Sequence, residues 1–337
     1  MARSDRLEYP LILHDTPETF LELVNAAASH FGIPAVYVEK DYWVTLALKR
    51  LHESDVKEEI VFKGGTALSK AHRLIERFSE DIDLAARAND LGDTRRRRLI
   101  KTTEAALTQD LMYQEGHDLE SKGSRFRKTA HAFPIQADTS ELGQVSDIIL
   151  LEINAFANPE PAELMNISTL IGEFLEASDR RDLIDQFHLE HFDVLVLCVE
   201  RTLCEKLMGL VRAGYENDST SDFRRRIRHF YDIAMILRRQ PYRAFLAEDG
   251  FAAMIDAVRA SDRESIPGAE VWLDPPFESA RLFRETETLW GEIQSDYHGR
   301  FKDMVYGESI PGNDEILAAI DTLKVAVARI AQNASKS

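Results

Sequence analysis

Cysteine is scarce: Cys198 and Cys204 are the only two in 337 residues. That excludes a disulfide scaffold and a multi-cysteine zinc centre, and two residues six apart do not share a helix face. Long apolar runs are missing as well. Runs such as Ile148 to Leu151 and Val194 to Val199 fall far short of the ~20 residues that a membrane-spanning helix needs. The opening Met1-Ala-Arg-Ser-Asp-Arg has no apolar segment of signal-peptide length, so the sequence predicts a cytoplasmic protein. Positive charge is in deficit, with 41 Lys+Arg against 58 Asp+Glu and a net charge of −17. This argues against a protein that coats nucleic acid by bulk charge, while leaving room for a local basic patch. What is present, 44% hydrophobic and 29% charged residues, suits a globular chain with a sizeable core. At ~150 residues per domain its length fits two domains.

The apolar spacing predicts a helix from about Thr16 to Phe31, started by Asp15 or Thr16 and Pro17, with Phe20, Leu21, Val24, Ala27 and Ala28 on one face. A second helix is expected from Val38 to His52. A short strand, Ile60-Val61-Phe62, then leads into Lys63-Gly64-Gly65-Thr66 and a helical stretch to about Arg77. Asp81 to Ala85 alternates as a strand does. A helix from Asp93 to Glu115, a loop and hairpin over Ser121 to Gln136, and a strand from Asp147 to Phe156 follow. Beyond Pro159 and Pro161 the chain reads as mostly helical, including a helix from Asp193 to Ala213 and a last one from Asp314 to Gln332. No internal repeat or low-complexity tract is present. A boundary near 160–170 is predicted between a mixed half and a helical half.

Gly64-Gly65-Thr66 is followed, fifteen residues after the threonine, by Asp81-Ile82-Asp83. Alternate strand residues share a face, so Asp81 and Asp83 project together while Ile82 and Leu84 point to the core. Two carboxylates so placed repel unless a cation lies between them, and hard oxygen ligands favour Mg²⁺ or Mn²⁺ over zinc. A Gly-Gly turn lets backbone N–H groups approach an anion, and Thr66 adds a hydroxyl. Together these point to chemistry on a nucleoside triphosphate (NTP). A Walker-type loop is excluded, because no Gly-Lys-Ser/Thr stands at the required offset. Taken singly, Gly-Gly is most often a plain turn and Asp-x-Asp a solvated strand end. Their order on strand, turn, helix and strand makes the pattern informative.

Phe62-Lys63-Gly64-Gly65-Thr66-Ala67-Leu68-Ser69-Lys70 and Arg77-Phe78-Ser79-Glu80-Asp81-Ile82-Asp83-Leu84 resemble the AbiEii family of nucleotidyltransferases. These are the toxins of type IV toxin–antitoxin systems, with which the MenT toxins belong. Glu39-Lys40-Asp41-Tyr42-Trp43 and Arg228-His229-Phe230-Tyr231-Asp232 extend the resemblance over about residues 15 to 240. It implies an α+β fold, with a polymerase-β-like nucleotidyltransferase domain (1–165, with N-terminal helices) followed by a helical domain (166–337). It implies Mg²⁺ or Mn²⁺ held by Asp81, Asp83 and a third carboxylate on a neighbouring strand, for which Ile148 to Asn154 offers Glu152. An acid amid apolar neighbours is costly unless paired, so a buried salt bridge is the alternative for Glu152. The resemblance further assigns Lys206 and Asp232 to the catalytic set, and Gly64, Gly65, Thr66, Lys206 and Arg228 to the nucleotide.

On their own helices these last residues have plainer readings. Leu203, Leu207 and Leu210 form a core stripe, and Thr202, Lys206 and Gly209 form a second, small and polar, around one lysine that could equally be solvated. Arg224, Arg228 and Asp232 fall at i, i+4 and i+8, where an ion pair contributes ~0.3–0.5 kcal/mol. Whether Asp232 meets metal, nucleotide or Lys206 stays open at this level. His188-Leu189-Glu190-His191 lacks a third ligand for a metal, Trp272, Trp290 and Tyr297 read as core, and residues 241–337 carry no motif.

Two basic islands flank these motifs: nine Lys/Arg against six Asp/Glu over 91–131, and six against two over 221–240. Either is a solvated face or a grip on RNA phosphates. The expected activity is transfer of a nucleotide from an NTP to an RNA hydroxyl, with tRNA 3′ ends implied by the MenT branch, in a growth-inhibiting toxin restrained by an antitoxin. The alternatives are the same chemistry on a small molecule or protein hydroxyl, and a non-catalytic NTP or RNA sensor.

Overall fold

The structure, a computed structural model, describes residues 12–79, 81–138, 147–156, 158–307 and 309–334. Glu80 of the second motif and the segment Met1 to Arg6 thus lie outside the described residues. Two helices open the fold, α1 (Pro17–Phe31) and α2 (Ala35–His52), the first closed by Gly32 in the left-handed region at φ 66°. Then come β1 (Ile60–Lys63), α3 (Gly64–Lys70), β2 (Asp81–Ala86), α4 (Asp93–Leu107) and β3 (Met112–Tyr113). After β4 (Ser121–Lys122), β5 (Phe126–Ala132), β6 (Ile148–Asn154) and β7 (Ala162–Ile167), α5 (Leu170–Ala177) and α6 (Arg181–Phe187) lead to β8 (Phe192–Leu197). The sheet order is β3-β5-β6-β2-β1-β8-β7, with β4 beside β5. Among the described residues, only β1–β8 and β2–β6 pair in parallel.

One sheet face is covered by α1, α2 and α4 through Ile82, Leu84, Ile149, Leu151 and Ile153, all fully buried. The opposite face of β2 and β6 stays partly open, and it carries the acidic residues. Helices α7 (Val199–Ala213), α8 (Ser219–Arg225), α9 (Ile227–Arg238), α10 (Gln240–Phe245) and α11 (Asp249–Ser265) build a second core with the helices up to Asn313–Ala334. Trp272, Trp290 and Tyr297 are buried in it, as expected.

Three expectations are corrected. The helix expected over Asp93 to Glu115 ends at Leu107, because the chain turns at Asp110, whose carboxylate holds Arg50 at 2.8 Å, and enters β3. The helix expected from Asp193 begins only at Val199, because Phe192 to Leu197 alternates its side chains as β8 and pairs with β1 and β7. The boundary expected at 165 therefore cuts β7. Residues 167–196 pack into the first core, and the second begins at Val199 while taking in Leu68, Leu74 and Ile75.

Candidate active site

Register builds the site. Lys63 on β1 faces Asp83 on β2, Asp83 faces Glu152 on β6, and Glu152 faces Lys128 on β5. Because directly opposed residues share a face, these four form one row across the sheet, with the two carboxylates adjacent and a lysine at each end. Asp81 stands two residues before Asp83 on that face. Lys128 Nζ lies 3.4 Å from Glu152 Oε2. Lys63 Nζ turns instead to Glu205 Oε2 at 2.6 Å, and Arg201 Nε holds the other oxygen of Glu205 at 3.1 Å.

Burial, and next the charge of Glu152, push the Asp83 carboxyl up to about 6, even though Lys63, Lys128 and Lys206 all pull it down. Two facing carboxylates that three ammonium groups leave undercompensated are a place for a divalent cation. Among the described residues, no group of three or more His, Cys, Asp or Glu is arranged to hold a metal ion by itself. Mg²⁺ does not need one, since it is commonly held by one or two carboxylates together with substrate phosphates and water. Asp83 and Glu152, opposed across β2 and β6, fit that limited donor set, with Asp81 on the same face of β2.

The row opens into a cavity of about 550 Å³ between the sheet and helices α7, α9 and α11. Gly64, Gly65, Asp81, Asp83, Glu152, Lys206 and Arg228 all line it, as do Thr202 and Gly209 from the same stripe of α7 as Lys206. Two expected members do not. Thr66 is buried and donates its hydroxyl to the Asp81 carbonyl at 2.5 Å, fixing α3 to the start of β2. Asp232 is fully buried, where Arg77 Nε and Nη2 grip its two oxygens at 2.7 and 2.8 Å and Lys206 Nζ lies 2.7 Å away. Burial raises the Asp232 carboxyl, but Arg77 and Lys206 outweigh it and hold it well below the usual carboxylate range. Asp232 is thus the floor under Lys206.

For Lys206, burial is the largest influence. With Arg77 beside it, burial outweighs Asp232 and brings its ammonium below the ordinary value. A cation so poorly compensated gains from an incoming anion. Arg212 Nε and His229 Nδ1, both on residues of the cavity wall, are buried without a hydrogen-bond partner. Burial, helped by Lys206, keeps His229 neutral by lowering its value far below 6.5.

The glycines have a steric reason. Gly64 sits at φ 80°, where a Cβ would run into the Asp83 side chain, and a Cβ on Gly65 would come 2.5 Å from Arg77 Nη2 and 2.8 Å from Ser79 Oγ. Asp83, the Arg77 clamp and Ser79 therefore pack directly against bare backbone.

Sequence reasoning missed the roles of Lys63, Arg77, Glu205 and Arg201. Arg77 had a signal, standing in one motif while its partner Asp232 closes another. It missed α11 altogether, which walls the cavity with Val258, Ser261, Asp262 and Ser265. The Asp262 carboxyl is pushed up to about 6, chiefly by burial. The stripe Arg224, Arg228 and Asp232 is broken, because Arg226 interrupts the helix between α8 and α9, and Arg224 bonds outward to Asp296 at 3.1 Å. His191 meets Glu176 at 3.0 Å on the surface, away from any metal-like cluster.

The profile described as "Nucleotidyl transferase AbiEii toxin, Type IV TA system" matches residues 46–319, well over half of the chain. The chain belongs to the AbiEii family. It is therefore a nucleotidyltransferase of the toxin side of type IV toxin–antitoxin systems, a family that uses an NTP and is paired with an antitoxin. Among solved structures it is similar to MenT4, a nucleotidyltransferase toxin from Mycobacterium tuberculosis H37Rv, at 15% identity and TM-score 0.44, over 91% of this chain and 98% of that one. Comparison with curated proteins finds no match. The AbiEii profile spans both halves of the cavity, from α2 through β8 to α11 and beyond. No helix among the described residues is long and apolar enough to cross a membrane.

Proposed function

We propose that this toxin moves a nucleotide from an NTP to the 3′-terminal hydroxyl of an RNA in the cytoplasm, where NTPs and RNA are found, with tRNA as the favoured class. The observation that carries the reading is the Lys63–Asp83–Glu152–Lys128 row opening into a cavity with Lys206 and Arg228 in its wall. Bound at Asp81, Asp83 and Glu152, Mg²⁺ or Mn²⁺ would polarise the α-phosphate and lower the pKa of the attacking hydroxyl. The residues supply the rest. Lys206, seated on Asp232, and Arg228 draw in the β- and γ-phosphates, and the backbone of Gly64 and Gly65 lines the same cavity. Glu152 takes the proton from the acceptor hydroxyl, whose oxygen attacks the α-phosphorus as the bond to pyrophosphate breaks and its electron pair leaves with pyrophosphate.

The basic surface gives support for RNA. Arg97 and Lys101 on α4, with Lys122 and Arg127, surround a second cavity of about 490 Å³. It suits phosphates, which position a nucleic acid without reading its sequence. Incubation with each labelled NTP, Mg²⁺ and total RNA tests the proposal. Label is expected on RNA with the native chain and none with an Asp81→Ala/Asp83→Ala variant. Label confined to protein or small molecules would overturn it, as would undiminished transfer by the variant.

A further inference from the structure

The cavity is chemically two-ended. Phe126 of β5 and Phe156, just past β6, lie nearly parallel, with centroids 6.0 Å apart and an interplanar angle of 12°, and both half-buried rings face the cavity. Asn154 stands opposite Phe126 in the β5–β6 register and also lines the cavity, two residues beyond Glu152 on the same face. This places an amide, which both donates and accepts hydrogen bonds, beside a two-ring wall and one pleat, roughly 7 Å, from Glu152.

The position decides which base such a wall would hold. Gly64 follows Lys63, so it lies on one side of the Lys63–Asp83–Glu152–Lys128 row, towards Asp81. Asn154 and Phe126 lie on the other side, diagonally across the sheet. In-line displacement puts the attacking oxygen opposite the departing pyrophosphate. With the outer phosphates at Gly64, Gly65 and Lys206, the attacking nucleotide enters over Glu152, and its base reaches the two rings. Every base has a π-face, so aromatic rings hold it without demanding one sequence.

We infer that Phe126, Phe156 and Asn154 form the subsite for the 3′-terminal nucleobase of the acceptor RNA, with the rings stacking it and the amide meeting its edge. This rests on the reading that the acceptor is an RNA end.

Steady-state transfer with acceptor and NTP varied separately tests it, using Phe156→Ala, Phe156→Leu and Phe156→Trp, with melting curves to confirm folding. Phe156→Ala and Phe156→Leu are expected to raise the acceptor KM roughly 10- to 100-fold, with the NTP KM changed by less than about twofold, and Phe156→Trp to restore it. An RNA whose last residue lacks its base should lose the same factor on the native chain and nothing further on Phe156→Ala. In Phe156→Trp, fluorescence should be quenched by the RNA end and not by NTP alone. A rise in the NTP KM instead would move the wall to the donor and overturn the inference, as would unchanged values for both substrates. If the native chain labels no RNA with any NTP, the reading beneath fails and the subsite falls with it. RNA labelling that is indifferent to Phe156 fails the subsite alone.

Discussion

Asp83 is the residue on which the site's electrostatics turn. Its carboxyl stands at about 6 against about 3.9 for an unperturbed aspartate, so the folded, metal-free protein binds this proton more tightly than the unfolded chain does. The group therefore favours folding as pH falls from about 6 towards 4, and that contribution is lost as pH rises through 6. Divalent-cation binding must displace the proton. The apparent Mg²⁺ affinity should be constant above about pH 7 and fall, up to tenfold per unit, below about 6. Mg²⁺ titrations across that range check it, and a flat profile would contradict it. Asp83→Asn removes the repulsion with Glu152 while Lys63 keeps Glu205. It should lower transfer by at least about 100-fold yet leave the metal-free protein no less stable, read by thermal melting. Asp232 has the opposite character. Asp232→Asn leaves Arg77 and Lys206 buried without their counter-charge, a loss of roughly 3–5 kcal/mol to be measured by urea unfolding.

At the level of elements, the turn from β1 into α3 shows how a short motif can serve several ends. Gly64 supplies a left-handed φ and clears the Asp83 side chain, Gly65 clears Arg77 and Ser79, and Thr66 pins the start of β2. Gly64→Ala meets both a backbone penalty of ~1–2 kcal/mol and a displaced Asp83. The expected outcome is a folded chain with a modestly lower melting temperature and little transfer. The segment from Glu76 to Phe78 is held at its other end by 302–307, with Phe78 N donating to the Met304 carbonyl at 2.8 Å and Tyr306 N to that of Glu76 at 3.0 Å. This element thus ties the catalytic strands to a part of the chain over two hundred positions away.

The whole molecule places the cavity on the seam between two cores. Ligand that touches both β2 and α7 should stabilise them jointly. Saturation at about 100 times Kd adds roughly 2.7 kcal/mol, visible as one raised melting transition with NTP and Mg²⁺. The Asp81→Ala/Asp83→Ala variant should show none. Against the net charge of −17, the Asp83–Glu152 pair keeps local compensation, with Lys63 and Lys128 opposite it in the strand register.

The sequence by itself determined the local facts. Alternation set Asp81 and Asp83 on one face, the Thr202, Lys206 and Gly209 stripe marked a polar helix face, and motif order pointed to the family over both halves. These are consequences of strand and helix periodicity, which act over a few residues. Only the tertiary structure decided which distant groups share an environment. Lys63 and Lys128 flank the carboxylates through strand register, Asp232 supports Lys206 and Arg77 from beneath, and Thr66 turns from substrate to scaffold. It also made β8 a strand, because pairing with β1 and β7 overrides a pattern that read as helix, and it brought motif-free α11 to the cavity wall. Burial and charge pairing depend on all neighbours at once, and those neighbours range from 15 positions apart in the chain, for Thr66 and Asp81, to 155, for Arg77 and Asp232.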